Sequence, residues 1–83
     1  MPIRLRLLGR QDCELCVELF AALMHDDRVV ASGLEVIDIE SVPELLALHL
    51  YRIPVLFDGE REIYAGRLDL IELATALDTA FNP

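Results

Sequence analysis

The spacing of apolar and polar residues predicts four strands and three helices in the order βαβαββα. Strand-like segments alternate in polarity or are rich in β-branched residues, and they end at glycines or polar residues. Helix-like segments repeat apolar residues every three or four positions. The predicted strands are residues 3–8, 34–39, 54–57 and 61–64, and the predicted helices are 13–24, 41–50 and about 70–78.

The connections between these segments predict how the strands pair. The first strand, first helix and second strand form a crossover unit, so their strands should be parallel. Asp58-Gly59 is a turn dipeptide, so the third and fourth strands should form an antiparallel hairpin. Ser41 and Glu44 fit a capping box at the start of the second helix. Residues 25–28 and Gly33 are interpreted as a polar break after the first helix.

Several side chains outside these patterns have expected positions. Phe20 and Phe57 are candidate core residues, and the segment 81–83 is expected to fray. His49 and the neighbouring pair Tyr51-Arg52 precede Pro54, where they could form part of a partner-binding rim or supply positive charge near the site. We favour the interpretation as a solvated helix end, since a lone histidine seldom has a catalytic role.

The length and the net charge of the chain argue against several classes of protein. Eighty-three residues predict a single domain, 1–83, with one core. Fifteen acidic residues against seven basic ones, all arginine, give a net charge of −8, which argues against binding nucleic acid or an anionic membrane surface. The N-terminal segment alternates charged and apolar residues, unlike a secretion signal. We therefore expect a soluble, cytoplasmic protein, and we expect a monomer.

The only two cysteines, Cys13 and Cys16, lie three positions apart at the start of the first predicted helix. A disulfide between them closes too short a loop to restrict the unfolded chain much, so redox or metal chemistry is indicated instead. A helix N-terminus favours a thiolate, which is the form that attacks disulfides. The spacing therefore predicts Cys13 as nucleophile and Cys16, one turn further, as resolving thiol.

Three other interpretations of the cysteine pair stay open at this point. Cys16 also fits a small buried side chain on the core face of its helix. Zinc binding lacks a second ligand pair, because His25 and His49 are isolated, and we expect no resident metal or bound cofactor. A non-catalytic module that holds a protein partner or an iron–sulfur cluster through Cys13 is the main alternative to an enzyme.

Ile53-Pro54 opens the third strand, where a proline cannot donate a ladder hydrogen bond. An ordinary trans proline on an edge strand is one explanation. A cis proline that presses against the cysteine pair and turns the Ile53 backbone outward, towards an extended substrate, is the other.

The cysteine pair after the first strand, Ile53-Pro54, the hairpin and Gly66 before the last helix together resemble the glutaredoxins, nearest to small bacterial glutaredoxin-like proteins. The resemblance implies a thioredoxin-like α/β fold: a four-stranded mixed sheet with one helix on one face and two on the other. It also implies a cis Pro54 beside Cys13. The implied activity is thiol–disulfide exchange with protein or glutathione mixed disulfides.

The same resemblance implies where glutathione, as a co-substrate, would bind. Arg10, three positions before the nucleophile, would pair with a glutathione carboxylate, and Ile53 and Pro54 would contact its backbone. Gly66 and Asp69 would receive its γ-glutamyl end. The chain departs from the family pattern beside the nucleophile, where Glu14-Leu15 replaces a proline–aromatic pair and where Asp12 and Glu14 add negative charge that opposes thiolate formation.

Overall fold

The structure, a computed structural model, describes residues 3–83. The pair Met1-Pro2, which belongs to the segment used above to argue against a secretion signal, lies outside the described residues. The elements in chain order are β1 (Leu5–Gly9), α1 (Glu14–Met24), α2 (Asp27–Ser32), β2 (Leu34–Asp38), a 3₁₀ turn (Ile39–Ser41), α3 (Pro43–His49), β3 (Val55–Asp58), β4 (Arg61–Ala65) and α4 (Leu70–Phe81).

The four strands form one mixed sheet in the order β2-β1-β3-β4. β1 and β2 are parallel, as the crossover unit predicts, and β1 and β3 are antiparallel. β3 and β4 form the predicted hairpin, in which Gly59 has a φ of 62° that glycine adopts without strain. The predicted α/β fold is therefore confirmed.

The core lies on both faces of this sheet, because successive side chains along β1 point to opposite faces. Leu7 belongs to a larger cluster and Leu8 to a smaller one. The larger cluster joins the sheet to α1, α2 and α4 and consists of Leu5, Leu7, Leu19, Leu23, Val29, Leu56, Tyr64, Leu73 and Leu77. The smaller one consists of Leu8, Ile39 and Val55, with Leu45 and Leu46 of α3 packed against it.

The polar break predicted after the first helix is confirmed at His25, Asp26 and Gly33, but Asp27 and Arg28 instead begin a short helix, α2, that was not predicted. Asp26 caps it by accepting hydrogen bonds from the N–H groups of Arg28 and Val29, and Gly33 ends it with a φ of 85°. Only Val29 of this helix is buried. A six-residue helix with one buried side chain shows no repeat of apolar residues along the sequence. The N-cap residue is therefore the only sequence feature that indicates this helix.

The predicted capping box of the second helix is also wrong. Val42 occupies the N-cap of α3 and makes no side-chain capping hydrogen bond, while Pro43 is in the first turn. Ser41 instead ends the 3₁₀ turn, where its hydroxyl donates to the Asp38 carbonyl at 2.6 Å. The Asp38 carboxylate accepts from the Glu40 N–H at 2.9 Å, so the local turn, and not the start of α3, uses the Ser41 hydroxyl.

Two aromatic residues differ from their predicted positions. Phe81 lies at the end of α4 rather than in a frayed terminus, and it packs against the larger core cluster with the Arg28 guanidinium 5.1 Å from its ring centre. Phe20 is 40% exposed and so lies outside the core, whereas Phe57 is partly buried against the smaller cluster. Over residues 3–83, no helix has the length and apolar character needed to span a bilayer.

Candidate active site

Cys13 is the N-cap residue of α1 and is partly exposed. Its Sγ atom accepts a hydrogen bond from the backbone N–H of Cys16 at 3.1 Å. The first-turn N–H groups of a helix lack partners within the helix, and here the sulfur takes the place of the usual serine or aspartate oxygen. The predicted position of Cys13 at a helix N-terminus is therefore confirmed.

Cys16 lies one turn into α1, is 7% exposed, and forms a disulfide with Cys13. The two Cα atoms are 5.2 Å apart, within the separation that a disulfide spans. The two cysteines differ in exposure, because Cys13 is partly exposed in a surface groove, whereas Cys16 is buried even though it borders a second groove. The pair can therefore change between dithiol and disulfide without any large movement of α1.

Gly9, at the end of β1, makes room for Cys16. A Cβ atom at position 9 would lie 3.1 Å from Cys16 Sγ and 3.2 Å from Cys16 Cβ. This role was not predicted, since a glycine directly after the predicted strand 3–8 indicates only the end of that strand. A glycine immediately before the loop that carries the cysteine pair is the signal that could have indicated a close approach.

Pro54 lies at the same end of the sheet's strands as the cysteine pair. Leu8 of β1 pairs with Val55 of β3 in antiparallel register. Gly9, the last residue of β1, and Pro54, the residue before β3, therefore lie at the same end of the two strands. Pro54 is fully buried, and the Ile53–Pro54 peptide bond is cis.

The Ile53 backbone is in part used by the fold. Its N–H donates to the carbonyl of His49 at 3.2 Å, so this donor is engaged within the protein. The Ile53 side chain packs against the smaller core cluster. Of the Ile53 backbone, which was predicted to pair with an extended substrate, the N–H is therefore not available, and pairing through the carbonyl stays a prediction.

Gly66 and Asp69 follow β4 at the same end of the strands, as the sequence predicts. Both make hydrogen bonds within the protein. The Gly66 N–H donates to the Pro54 carbonyl at 2.8 Å, and Gly66 has a φ of 85°. One carboxylate oxygen of Asp69 caps α4 by accepting from the N–H groups of Ile71 and Glu72, each at 3.0 Å. The second carboxylate oxygen of Asp69 is the one left to meet a ligand.

Tyr64 holds the loop between Gly66 and Asp69 in place. Its buried hydroxyl donates to the Arg67 carbonyl and accepts from the Asp69 N–H at 2.8 Å. The sequence analysis missed this residue, since a tyrosine in a strand gives no sign of what its hydroxyl contacts.

Arg10 lies on the other side of the cysteine pair, in the loop between β1 and α1. Its guanidinium is 3.7 Å from the Glu40 carboxylate, and its side chain is exposed. An exposed ion pair at this distance is weak, so Arg10 can exchange Glu40 for another carboxylate.

The segment before Pro54 is less solvated than the sequence predicts. His49 is buried, with its ring in an edge-to-face contact with Phe57 at 5.9 Å, and its Nδ1 atom has no hydrogen-bond partner among the described residues. Tyr51, in contrast, is 96% exposed. Arg52 donates to Glu62 at 2.7 Å, and this hydrogen bond raises the pKa of the Arg52 guanidinium above its usual value. Only Tyr51 and Arg52 thus match the predicted solvated helix end.

Two adjoining surface grooves border the cysteine pair. The first, here called the acidic groove, has a volume of about 420 Å³ and is lined by Gln11, Asp12, Cys13, Glu14, Val17 and Glu18. The second, here called the apolar groove, has a volume of about 490 Å³ and lies between α1 and β2. Its walls include Cys16, Val17, Phe20 and Val36, with Arg10 and Asp38 at its rim. Within residues 3–83, no cluster of three or more metal-binding side chains occurs.

Comparisons with known proteins agree with this geometry. A family model described as a Glutaredoxin-like domain (DUF836) matches residues 4–78. The X-ray structure of target protein XcR50 from X. campestris is 31% identical, covers 92% of this chain and 97% of its own, and gives a TM-score of 0.74. The solution structure of protein Ne2328 from Nitrosomonas europaea is 34% identical, covers 90% and 91% of the two chains, and gives a TM-score of 0.66.

No curated protein matches this chain. The family match covers far more than half of the sequence, and both structural relatives exceed 30% identity over nearly their whole length. The fold is accordingly thioredoxin-like, with a Cys-x-x-Cys pair within disulfide distance. The chain belongs to the glutaredoxin-like domain (DUF836) family.

Proposed function

We propose that this protein is a thiol–disulfide oxidoreductase of the glutaredoxin type, with Cys13 as nucleophile and Cys16 as resolving thiol. The observation that carries the proposal is the 3.1 Å hydrogen bond from the Cys16 N–H to Cys13 Sγ at the first turn of α1. A donor already aimed at the sulfur stabilises negative charge on it, and the helix dipole acts in the same direction. Attack on a disulfide requires that anion.

The difference in exposure between the two cysteines supports their separate roles. An attacking thiolate must meet the substrate sulfur in line with the bond that breaks, which only a partly exposed cysteine permits. Cys13 lines the acidic groove, whereas Cys16 is buried behind it. Cys16 is thus inaccessible to a large substrate but close enough to attack a mixed disulfide at Cys13.

The proposed reaction moves two electrons from the dithiol to the substrate. The Cys13 thiolate attacks one substrate sulfur, a Cys13–substrate bond forms, and the first substrate thiolate leaves and takes up a proton. The Cys16 thiolate then attacks Cys13 Sγ, the mixed disulfide breaks, and the second substrate thiol is released. The protein is left with the Cys13–Cys16 disulfide, and glutathione or a reductase must supply two electrons to restore the dithiol.

For glutathione as the reductant, the proposed contacts are Arg10 and Asp69, with the Ile53 carbonyl and the surfaces of Pro54 and Gly66 between them, since the N–H groups of Ile53 and Gly66 are bonded within the protein. The exposed Arg10 guanidinium would take a glutathione carboxylate in place of Glu40. The carboxylate oxygen of Asp69 that does not cap α4 would take the γ-glutamyl ammonium group.

The test uses an uncharged disulfide, bis(2-hydroxyethyl) disulfide, and pre-reduced protein with no other thiol. Wild type should release both mercaptoethanol molecules and end as the intramolecular disulfide. Cys16→Ser should stop at a mixed disulfide on Cys13, visible by mass spectrometry, and Cys13→Ser should not react. Circular dichroism confirms that each variant is folded. Equal thiol release by wild type and folded Cys13→Ser would remove the proposal.

A further inference from the structure

We infer that the disulfides exchanged at this site belong to polypeptide segments that carry basic and apolar side chains beside the half-cystine. The inference rests on the proposed function, because it names the substrate class of the same cysteine pair. Two observations carry it: the sign of the charges around Cys13, and an exposed apolar groove that continues from the cysteine pair to the edge of the sheet.

The charged side chains that line the acidic groove are Asp12, Glu14 and Glu18, all negative and all exposed. They surround the sulfur that a substrate must reach. Their negative potential raises the local concentration of cationic partners and lowers that of anionic ones, which changes association rates more than bound-state contacts.

The rest of the protein reinforces this field. The chain carries 15 acidic residues against seven arginines and has no lysine, so the net charge of −8 acts in the same direction as the acidic groove. Arg10, the arginine in the loop before Cys13, lies at the rim of the other groove, where Glu40 is 3.7 Å away. A cationic substrate is therefore favoured both at long range and at the sulfur itself.

The apolar groove indicates a polypeptide rather than a small cationic disulfide. Val17 is 60% exposed, Phe20 40% and Val36 56%, so this groove presents side chains that water contacts unfavourably. Among the described residues β2 is an edge strand, in the order β2-β1-β3-β4, and its Val36 lines the groove, so an extended chain laid along the groove runs beside the edge of the sheet.

The two grooves are continuous at the cysteine pair. Gln11 and Val17 line both of them, with Cys13 in the acidic groove and Cys16 in the apolar one. A bound segment whose half-cystine meets Cys13 can therefore place a basic side chain among the carboxylates and an apolar side chain beside Phe20. Neither groove alone selects this combination.

The test measures single-turnover reduction of three synthetic peptide homodisulfides by pre-reduced protein. They are identical except that the half-cystine is flanked by arginine and leucine, by arginine and serine, or by glutamate and leucine. At low ionic strength we expect the arginine–leucine peptide to react about tenfold faster than the glutamate–leucine peptide. We expect it to react about fivefold faster than the arginine–serine peptide, because leucine enters the apolar groove.

Matched variants assign each preference to its groove. Glu14→Gln combined with Glu18→Gln should reduce the arginine-over-glutamate ratio to about threefold, as should salt at about 0.5 M. Phe20→Ser should abolish the leucine-over-serine ratio and leave the charge ratio unchanged. The control removes two exposed carboxylates that line neither groove, Asp27→Asn with Glu60→Gln, and should keep both ratios. Ratios are used because removing Glu14 also changes the intrinsic reactivity of Cys13.

The outcomes separate this inference from the proposed function. Equal rates with all three peptides would overturn the substrate class and leave the oxidoreductase in place. A charge preference that falls equally in the control pair would overturn the role of the acidic groove. Failure of the folded, reduced protein to react with any peptide or with bis(2-hydroxyethyl) disulfide would overturn the proposed function instead.

Discussion

Gly9 lies so close to Cys16 that a Cβ atom at position 9 would be 3.1 Å from Cys16 Sγ. Cys16 cannot easily move away, because it is buried within α1 and its backbone N–H is bonded to Cys13 Sγ. The end of β1 and the first turn of α1 are thus packed directly against each other. This contact fixes the position of the cysteine pair relative to the sheet.

Gly9→Ala is therefore expected to lower the free energy of unfolding by about 1–2 kcal/mol, since the added methyl group overpacks the contact. The entropy that alanine removes from the unfolded chain offsets only about 0.5 kcal/mol of this. Urea unfolding of the reduced proteins measures the effect. The same substitution in a Cys16→Ala background should cost less, because the Sγ contact is gone. An equal loss in both backgrounds would show that the contact is not responsible.

Tyr64→Phe should destabilise the protein by about 1–2 kcal/mol, because it removes the hydroxyl that bonds the Arg67 carbonyl and the Asp69 N–H. Tyr51→Phe is the matched control, and its hydroxyl is fully accessible to water. Thermal unfolding measures both variants, and we expect no measurable change in stability for Tyr51→Phe. Similar effects of the two substitutions would contradict the bridging role of Tyr64.

Asp26 should make α2 sensitive to acid. The hydrogen bond from the Arg28 side chain, aided by the backbone N–H groups of Arg28 and Val29, lowers the pKa of Asp26 below its usual value of 3.8. A carboxyl whose pKa is lower in the folded state stabilises the fold above its unfolded pKa, and this stabilisation is lost as the pH falls through the folded value.

Asp26→Ala should accordingly cost about 1 kcal/mol at neutral pH, the usual effect of losing a helix N-cap, and less as the pH falls below about 4. Urea midpoints measured from neutral to acid pH give this difference directly. The neighbouring Asp27→Ala serves as control, because Asp27 lies in the first turn of α2 but is not its N-cap. A loss in Asp26→Ala that stays constant down to the lowest pH would argue that the carboxylate charge contributes nothing.

The sheet could be predicted from the sequence because each strand carries its own local signal. The β-branched run of β2 and the turn at Gly59 are examples, and the crossover unit determines which strands are parallel. α2 could not be predicted this way. Six residues with only Val29 buried have no periodic face, and the Asp26 cap that forms the helix resembles an ordinary polar turn.

The position of Phe20 shows a second limit of sequence patterns. Its spacing from Cys16 matches a helical core face, yet it lies at the border of that face, beside the exposed edge strand β2. Periodicity identifies the apolar side of a helix but not how far the sheet beneath it extends. The apolar groove therefore became visible only once the sheet order was known.

In the candidate site, too, local features could be predicted from the sequence and tertiary contacts could not. Cys13 and Cys16 could be assigned from their spacing and from the start of the helix, since both are local features. The contact of Gly9 with Cys16 depends on how the loop between β1 and α1 folds back, and the hydrogen bond from Gly66 to Pro54 joins the two ends of the β3–β4 hairpin. Likewise, the hydrogen bond from the Ile53 N–H to the His49 carbonyl depends on the turn that follows α3, which no local sequence pattern specifies.

The central claim is that Cys13 is an accessible sulfur activated by the first turn of α1, whereas Cys16 is a shielded partner. The most direct measurement is brief treatment of the fully reduced protein with substoichiometric iodoacetamide, followed by peptide mass spectrometry to quantify label at each cysteine. We predict that the labelled fraction of Cys13 is at least about tenfold higher than the labelled fraction of Cys16. Equal labelling, or faster labelling of Cys16 in the folded protein, would contradict it.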